Sequence, residues 1–261
     1  MIMEGKISVV INTYNSERYL DRVLSSVKEF DEIVICDMHS TDRTLDIANR
    51  YDCKVIYHEK CEIVEPARNF AIQAASNPWI LLIDSDEEVP KPLHDYLYGL
   101  IKEKTDVHGF WLPRKNFFLG HFVRGIYPDY VMRFFRKDSV FWSSFVHSRP
   151  KINGRTKYIP KRRKELAIIH LDNKTIAEQL QKMDVYTAKE LLKRSDKTYP
   201  IWKIFSATFF RFFKAYILRG GFRDGKAGVV IAGMEAFYKF TTIAKIWEKQ
   251  IQDKNLGEDL K

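Results

Sequence analysis

Two aspartates separated by one residue, Asp84 and Asp86, follow directly on the apolar run Trp79-Ile80-Leu81-Leu82-Ile83. A short apolar run bounded by polar residues predicts a buried strand, so both carboxylates fall at its carboxyl end. Two negative charges at that spacing repel each other and are costly to bury without a cation. Clustered carboxylate oxygens suit Mg²⁺ or Mn²⁺ and, through the metal, phosphates. In open α/β sheets, ligands bind at the carboxyl ends of strands. A second run, Glu32-Ile33-Val34-Ile35-Cys36, leads into Asp37 in the same way. Two acid-tipped strands of one sheet point to a nucleotide-diphosphate site. The plainer reading is that Asp84 and Asp86 cap the following turn and helix, and the triplet by itself leaves that open.

The elements that must position these acids alternate in type. Ile7-Ser8-Val9-Val10-Ile11 reads as a strand ending at Asn12-Thr13-Tyr14-Asn15. Ser16 is placed to cap a helix whose inner face is Tyr19, Leu20, Val23, Leu24 and Val27. The strand at 32–36 precedes Ser40-Thr41-Asp42, an N-cap cluster for a helix through Tyr51. Lys54-Val55-Ile56-Tyr57 is a third strand, and Pro66 marks the start of a helix over Ala67–Ala75. The order β-α-β-α-β-α-β requires a mainly parallel sheet. No G-x-G-x-x-G follows the first strand, which argues against a dinucleotide-binding site. Beyond residue 105, Val107–Leu112 and Val131–Phe135 read as strands of mixed orientation. Thr175 caps a helix with Ile176, Leu180, Met183, Thr187 and Leu191 along one side, and Ser195–Pro200 is the expected boundary. The chain is thus divided into 1–195, an α/β catalytic domain, and 196–261, a helical, membrane-associating extension.

An apolar content of 45% with 30% charged residues excludes disorder. The three cysteines, Cys36, Cys53 and Cys61, lack metal or disulfide spacing, and Cys36 lies in a buried strand, so a reducing, cytoplasmic compartment is expected. The amino terminus goes straight into a strand without the apolar region of a signal peptide. No run of eighteen apolar residues is present, so no membrane span is expected. The net charge of +9 is concentrated: Arg149 to Lys164 holds eight Lys or Arg residues and no acid. Such a stretch favours anionic partners. It lacks interleaved aromatics that would stack bases, which disfavours nucleic acid.

Four pieces taken in order carry a resemblance: Val10-Ile11-Asn12-Thr13-Tyr14-Asn15, Ile35-Cys36-Asp37 with Ser40-Thr41-Asp42, Ala67-Arg68-Asn69-Phe70-Ala71, and Leu82-Ile83-Asp84-Ser85-Asp86-Glu87. The chain resembles the family 2 glycosyltransferases of the GT-A fold, in particular the lipopolysaccharide-core enzymes of the WaaE/KdtX type. The resemblance implies a mainly parallel sheet flanked by helices with a C-terminal helical extension. It also implies inverting transfer of a sugar from a nucleotide-sugar, a UDP-sugar by preference, to a lipid-linked saccharide. Thr13, Tyr14, Asn15 and Asp37 would hold the uridine, and Arg68 would contact the diphosphate or orient the acidic pair. Asp86 would bind Mg²⁺ or Mn²⁺ most directly, with Asp84 nearer the ribose and the metal's waters. His170 is either a further ligand near the diphosphate or a packed core histidine.

The family's Val-His-Glu triplet, whose glutamate can take the acceptor proton, corresponds here to Val146-His147-Ser148. Serine cannot serve as that base. Asp129, in Tyr127-Pro128-Asp129-Tyr130, is the expected substitute. His147 is a second candidate for base or metal ligand, or a structural histidine. This departure keeps a second function in view, a catalytically weakened relative that binds a membrane surface or anionic ligand.

Pro200 to Arg219 contains seven aromatics, four basic residues and no acid. Ile201, Phe205, Phe209, Phe212, Phe213, Tyr216 and Ile217 follow helical spacing, with Lys203, Arg211 and Lys214 off that stripe. The pattern fits a helix lying at an anionic membrane surface, or alternatively one packed on the catalytic domain. The first alternative makes the protein peripheral to the inner face of the membrane.

Overall fold

The computed structural model describes residues 5–60, 65–103, 106–142, 150–171, 175–194 and 197–258. Its contacts divide the chain into two compact units: Met1–Asn116 with Tyr127–Asp172, and Phe117–Ile126 with Asn173–Lys261. The helix after Thr175 therefore belongs with the C-terminal helices, whereas the expected boundary at 195 assigns it to the catalytic domain.

The first unit is built on β1 (Ile7–Thr13), β2 (Glu32–Asp37), β3 (Cys53–Tyr57), β4 (Trp79–Asp84), the two-residue β5 (Glu87–Glu88), and β6 (Val107–Leu112). Further along the chain come β7 (Arg114–Phe118), β8 (His121–Phe122), β9 (Val131–Arg136), β10 (Val140–Phe141), β11 (Lys151–Ile152), β12 (Arg155–Tyr158) and β13 (Ile168–His170). The main sheet runs β12-β6-β9-β4-β1-β2-β3. Strands β3, β2, β1 and β4 are mutually parallel, and β9 is antiparallel to both neighbours. This is the mainly parallel, mixed-edged sheet that the sequence predicts. β1 and β4 are buried along almost their whole length, as strands covered on both faces must be, and their apolar runs follow from that.

Helices α1 (Leu20–Val27), α2 (Thr44–Ala48), α3 (Glu65–Ala74) and α4 (Lys91–Lys102) connect the strands. Leu20, Val23, Leu24 and Val27 form the buried face of α1, as their spacing requires. The helix expected through Tyr51 is shorter. Asp42 Oδ1 accepts the Thr44 N–H at 3.0 Å and starts α2, which ends at Ala48. β13 lies between β5 and β7, opposing Glu87 to His170 and His170 to Asn116.

The second unit contains the tip of the β7–β8 hairpin, α5 (Ile176–Arg194), α6 (Ile201–Phe213), a π-turn (Lys214–Leu218), a 3₁₀ turn (Gly221–Asp224) and α7 (Gly225–Glu258). Thr175 begins α5 with a reciprocal cap: its hydroxyl accepts the Glu178 N–H at 3.2 Å, and Glu178 accepts the Thr175 N–H at 2.6 Å. Phe118, Val123 and Ala227 form a small core with Val230, Ile231 and Met234. Ile204 is buried in α6, whereas Ile201, Trp202, Phe205 and Phe209 are between 62% and 76% exposed. The aromatic stripe therefore faces outward. Of the cations expected beside it, Arg211 and Arg219 are both paired with Glu235 of α7 and remain partly exposed. Among the described residues, no helix is long and apolar enough to cross a membrane.

Candidate active site

Parallel register brings the acid-tipped strands level. Thr13 lies opposite Asp37, and Asn12 opposite Asp84. The chain leaves β1 toward β2 and β3 on one side and returns as β4 on the other. The ends of β1 and β4 thus flank the point where strand order reverses, which is where such sheets bind ligands.

Thr13 and Asp37 are fully buried and hold each other: Thr13 Oγ1 donates to Asp37 Oδ1 at 2.7 Å. Ser40 closes the other side, its hydroxyl donating to Oδ1 at 2.6 Å and its N–H to Oδ2 at 2.8 Å. As placed, the Asp37 carboxylate ties β1 to the 37–40 turn. Tyr14 and Asn15 stand on the exposed loop after β1. The Tyr14 hydroxyl accepts from Lys60 Nζ at 2.8 Å, and Asn15 Oδ1 accepts the Thr41 N–H at 2.8 Å. The Asn12 amide, at the end of β1, is buried without any hydrogen-bond partner. An orphaned amide at a strand end marks a place where a ligand group could supply what the protein does not.

Arginines surround Asp84. Arg68 Nη2 from α3 donates to Oδ1 at 2.9 Å, and Arg133 Nη2 from β9 donates to Oδ2. Burial pushes the Asp84 carboxyl up, but Arg133, Arg68 and Arg114 outweigh it and hold the group well below the usual carboxylate range. Glu87, fully buried, accepts Arg133 Nη2 at 2.9 Å and Arg114 Nη1 at 2.8 Å on Oε1. Its Oε2 accepts the Asp84 N–H at 3.0 Å. Asp84, expected beside the metal, therefore has each oxygen bonded to a guanidinium group, Arg68 on Oδ1 and Arg133 on Oδ2.

Asp86 differs. Its Oδ2 lies 3.4 Å from His170 Nε2, and its carbonyl accepts the Leu171 N–H at 2.7 Å, joining the D-x-D turn to β13. His170 Nδ1 is 2.8 Å from Asn116 Oδ1, while Asn116 Nδ2 donates to Asp129 Oδ2 at 3.0 Å. A carboxylate only accepts, so the Asn116 amide must present its NH₂ to Asp129 and its oxygen to His170. His170 must then donate from Nδ1, which in the neutral ring leaves a lone pair on Nε2 facing the Asp86 carboxylate. Two acceptors at that separation call for a cation between them, a proton or a metal ion. Asp86 and His170 thus fit a divalent cation as a two-donor set, and the imidazole nitrogen favours Mn²⁺ over Mg²⁺. Among the described residues no third His, Cys, Asp or Glu joins them.

Asp129 Oδ2 also accepts Arg114 Nε at 3.0 Å and Nη2 at 2.6 Å. Burial raises its carboxyl, but the Arg114 charge and the hydrogen bonds from Asn116 and Arg114 prevail and lower it. His147 and Ser148 lie outside the described residues. One polar network therefore joins Arg68, Asp84, Asp86, His170 and Asp129. Of its connectors, Glu87 closes the D-x-D motif, whereas Asn116, Arg114 and Arg133 do not stand out in the motifs. Of these three, Arg133 alone leaves a sequence trace, as a charge inside the apolar strand Val131-Met132-Arg133-Phe134-Phe135.

A mainly parallel sheet with paired acids at the strand ends and a C-terminal helical part is the GT-A arrangement. The chain belongs to glycosyl transferase family 2, whose profile matches residues 8–159, more than half its length. It is 27% identical over 267 residues to an uncharacterized glycosyltransferase of Rickettsia bellii, covering 96% of this chain and 89% of that one. It is 26% identical over 263 residues to the lipopolysaccharide core biosynthesis glycosyltransferase LpsC of Rhizobium meliloti, covering 95% and 94%. The crystal structure of Staphylococcus aureus TarS 1-349 in complex with UDP-GlcNAc overlays with a TM-score of 0.39 at 30% identity, covering 42% of this chain and 34% of that one.

Proposed function

We propose that this glycosyltransferase moves a sugar with inversion from a UDP-sugar to a lipid-linked saccharide, using a divalent cation at Asp86 and His170. The observation that carries the reading is the line Asp86–His170–Asn116–Asp129, its first pair 3.4 Å apart and the other two links hydrogen bonds. It sets a pair that fits a cation two side chains away from a carboxylate able to take a proton. When bound, the cation supplies Lewis-acid stabilisation of charge on a diphosphate leaving group.

The chain's own residues have separable tasks. Arg68 and Arg133 keep Asp84 ionised and fixed at the end of β4. Tyr14, Asn15 and the backbone at Thr13 line the end of β1, where the uridine would lie. Asp129 takes the acceptor hydroxyl proton onto Oδ1, which no described residue engages while Arg114 and Asn116 hold Oδ2. That hold orients the carboxylate at some expense of basicity. The family relationship to LpsC, a lipopolysaccharide core enzyme by name, and the outward aromatic face of α6 support an acceptor carried on lipid and a protein peripheral to the membrane.

Calorimetry with UDP and a panel of UDP-sugars, with and without Mn²⁺, tests the donor site. Wild type should bind UDP more tightly with Mn²⁺, and Asp86→Ala should lose that increment while melting at an unchanged temperature. Unchanged metal dependence in Asp86→Ala would remove the D-x-D turn from the cation site.

A further inference from the structure

Three glycines in the second unit bring three backbones almost into contact. A side-chain carbon on Gly228 would lie 1.8 Å from the Gly221 carbonyl oxygen, and one on Gly221 would lie 2.8 Å from that of Ala215. One on Gly125 would meet the Arg219 carbonyl oxygen at 3.2 Å. Glycine alone tolerates the two closest approaches. They seat the segment after β8, the 3₁₀ turn and the first turn of α7 around one cleft of about 490 Å³. Its lining includes His121, Phe122, Arg124, Arg223, Asp224 and Lys226.

The charge of this cleft is unbalanced. Asp224 directs its carboxylate to the backbone, accepting the Arg124 N–H at 2.9 Å and the Gly125 N–H at 3.0 Å. Glu235, which lines the adjoining hollow, is already shared by Arg211 and Arg219. Among the described residues no carboxylate pairs with Arg124, Arg223 or Lys226. The Arg223 guanidinium instead lies 5.5 Å over the Phe222 ring, a contact that leaves its N–H groups available. Three exposed cations repel one another, and among the described residues the single carboxylate lining the cleft, Asp224, leaves an excess of positive charge.

We propose that this cleft binds a phosphoryl group. A phosphomonoester carries nearly two negative charges and three acceptor oxygens, and two guanidinium forks with an ammonium match both counts. The volume exceeds that of phosphate alone and leaves room for what the phosphate is attached to. A soluble phosphomonoester and a lipid headgroup offer the same chemistry. Leu218, in the π-turn, and Phe222, in the 3₁₀ turn that holds Arg223, are 63% and 50% accessible, and apolar side chains exposed close to the cleft favour the lipid. That preference rests on the membrane reading of α6, whereas the cleft does not depend on it.

The test compares wild type, the triple variant Arg124→Gln/Arg223→Gln/Lys226→Gln, and a control, Lys6→Gln/Lys28→Gln/Lys102→Gln, which removes equal charge from exposed positions of the other unit outside the basic stretch at 149–164. The probes are glycerol 3-phosphate by calorimetry, and sedimentation with phosphatidylcholine vesicles containing phosphatidic acid or, at equal fraction, phosphatidylglycerol. The triple variant should lose about tenfold or more in affinity for glycerol 3-phosphate and its preference for phosphatidic acid, while the control keeps both. Unchanged binding by a folded triple variant, or an equal loss in the control, overturns the cleft. Wild type that binds glycerol 3-phosphate but no vesicle upholds the cleft and removes the lipid source. Should the triple variant melt early, Arg223→Gln alone gives the same readout with a smaller loss.

Discussion

Two clusters of charge in this protein are built on opposite terms. At the strand ends of the first unit, Asp84, Glu87 and Asp129 interlock with Arg68, Arg114 and Arg133, most of them shielded from water. In the second unit, Arg124, Arg223 and Lys226 line a cleft with one carboxylate among the described residues, Asp224, which is hydrogen-bonded to backbone N–H groups and paired with none of the three. The first cluster pairs its charges without a ligand, although Arg133 Nε is buried with no hydrogen-bond partner. The second is exposed, repulsive and completed only from outside. The contrast separates charge that shapes a site from charge that recruits a ligand: the former is buried and paired, and removing one member strands its partners.

Removing a cation from each cluster sharpens this contrast most. Arg133→Gln leaves Glu87 buried with one guanidinium fewer and Asp84 with only Arg68. It should cost about 3–5 kcal/mol in a urea melt, the range for breaking a buried pair. A loss below about 1 kcal/mol would show that water reaches these carboxylates and would dissolve the distinction.

Next in size is Asp129→Asn, which keeps the shape of the network but cannot accept a proton. Turnover should fall about 10²-fold or more with donor affinity retained. The lowered carboxyl also fixes the pH dependence. The acid limb of kcat/KM should lie below the ordinary carboxylate value of about 4, leaving the rate level from about pH 5 upward as far as this group is concerned. The stability that Asp84 and Asp129 contribute follows the same sign. Folded values depressed below the unfolded ones give a contribution complete above about pH 4 and lost as the pH falls further. An acid limb near neutrality would transfer the base to another group.

Asn116→Ala tests the connector. Without the amide oxygen, His170 is free to turn or to change tautomer, and Mn²⁺ affinity read by calorimetry should drop about 10- to 100-fold, as for other groups that orient metal-binding histidines. Asn116→Asp presents an oxygen to His170 but repels Asp129, so a recovered metal affinity with impaired turnover would divide the two tasks. The smallest effect belongs to the second cluster. Arg223→Gln or Lys226→Gln should change stability by no more than about 0.5 kcal/mol in a thermal melt, and relief of mutual repulsion would make the sign favourable. A loss comparable to that of Arg133→Gln would show these cations to be structural.

The strands and their acid tips were readable because local pattern dictates them. Trp79–Ile83 is apolar throughout and buried on both faces, so Asp84 had to fall at its end. The face of α1, the cap at Thr175 and the outward stripe of α6 follow from periodicity and from one side chain meeting a nearby N–H. Among the partners of those acids, Arg68 and His170 were candidates from the sequence, whereas Arg114, Asn116 and Arg133 were not. Arg114, Asn116, Arg133 and His170 reach the site from β7, β9 and β13, separated from Asp84 by tens of residues. Which of two aspartates is clamped by arginine and which faces histidine depends on the register of strands that no local pattern specifies. The cleft of the second unit has the same origin. The sequence shows Gly220-Gly221-Phe222-Arg223-Asp224-Gly225-Lys226 as a loop, but Arg124 joins it through tertiary packing, in which Gly125 comes close to the backbone at Arg219 and Gly221. Local sequence settles what a residue can do where hydrogen bonds and burial are short-range. Charge pairing across the fold is a long-range choice, and only tertiary packing makes it.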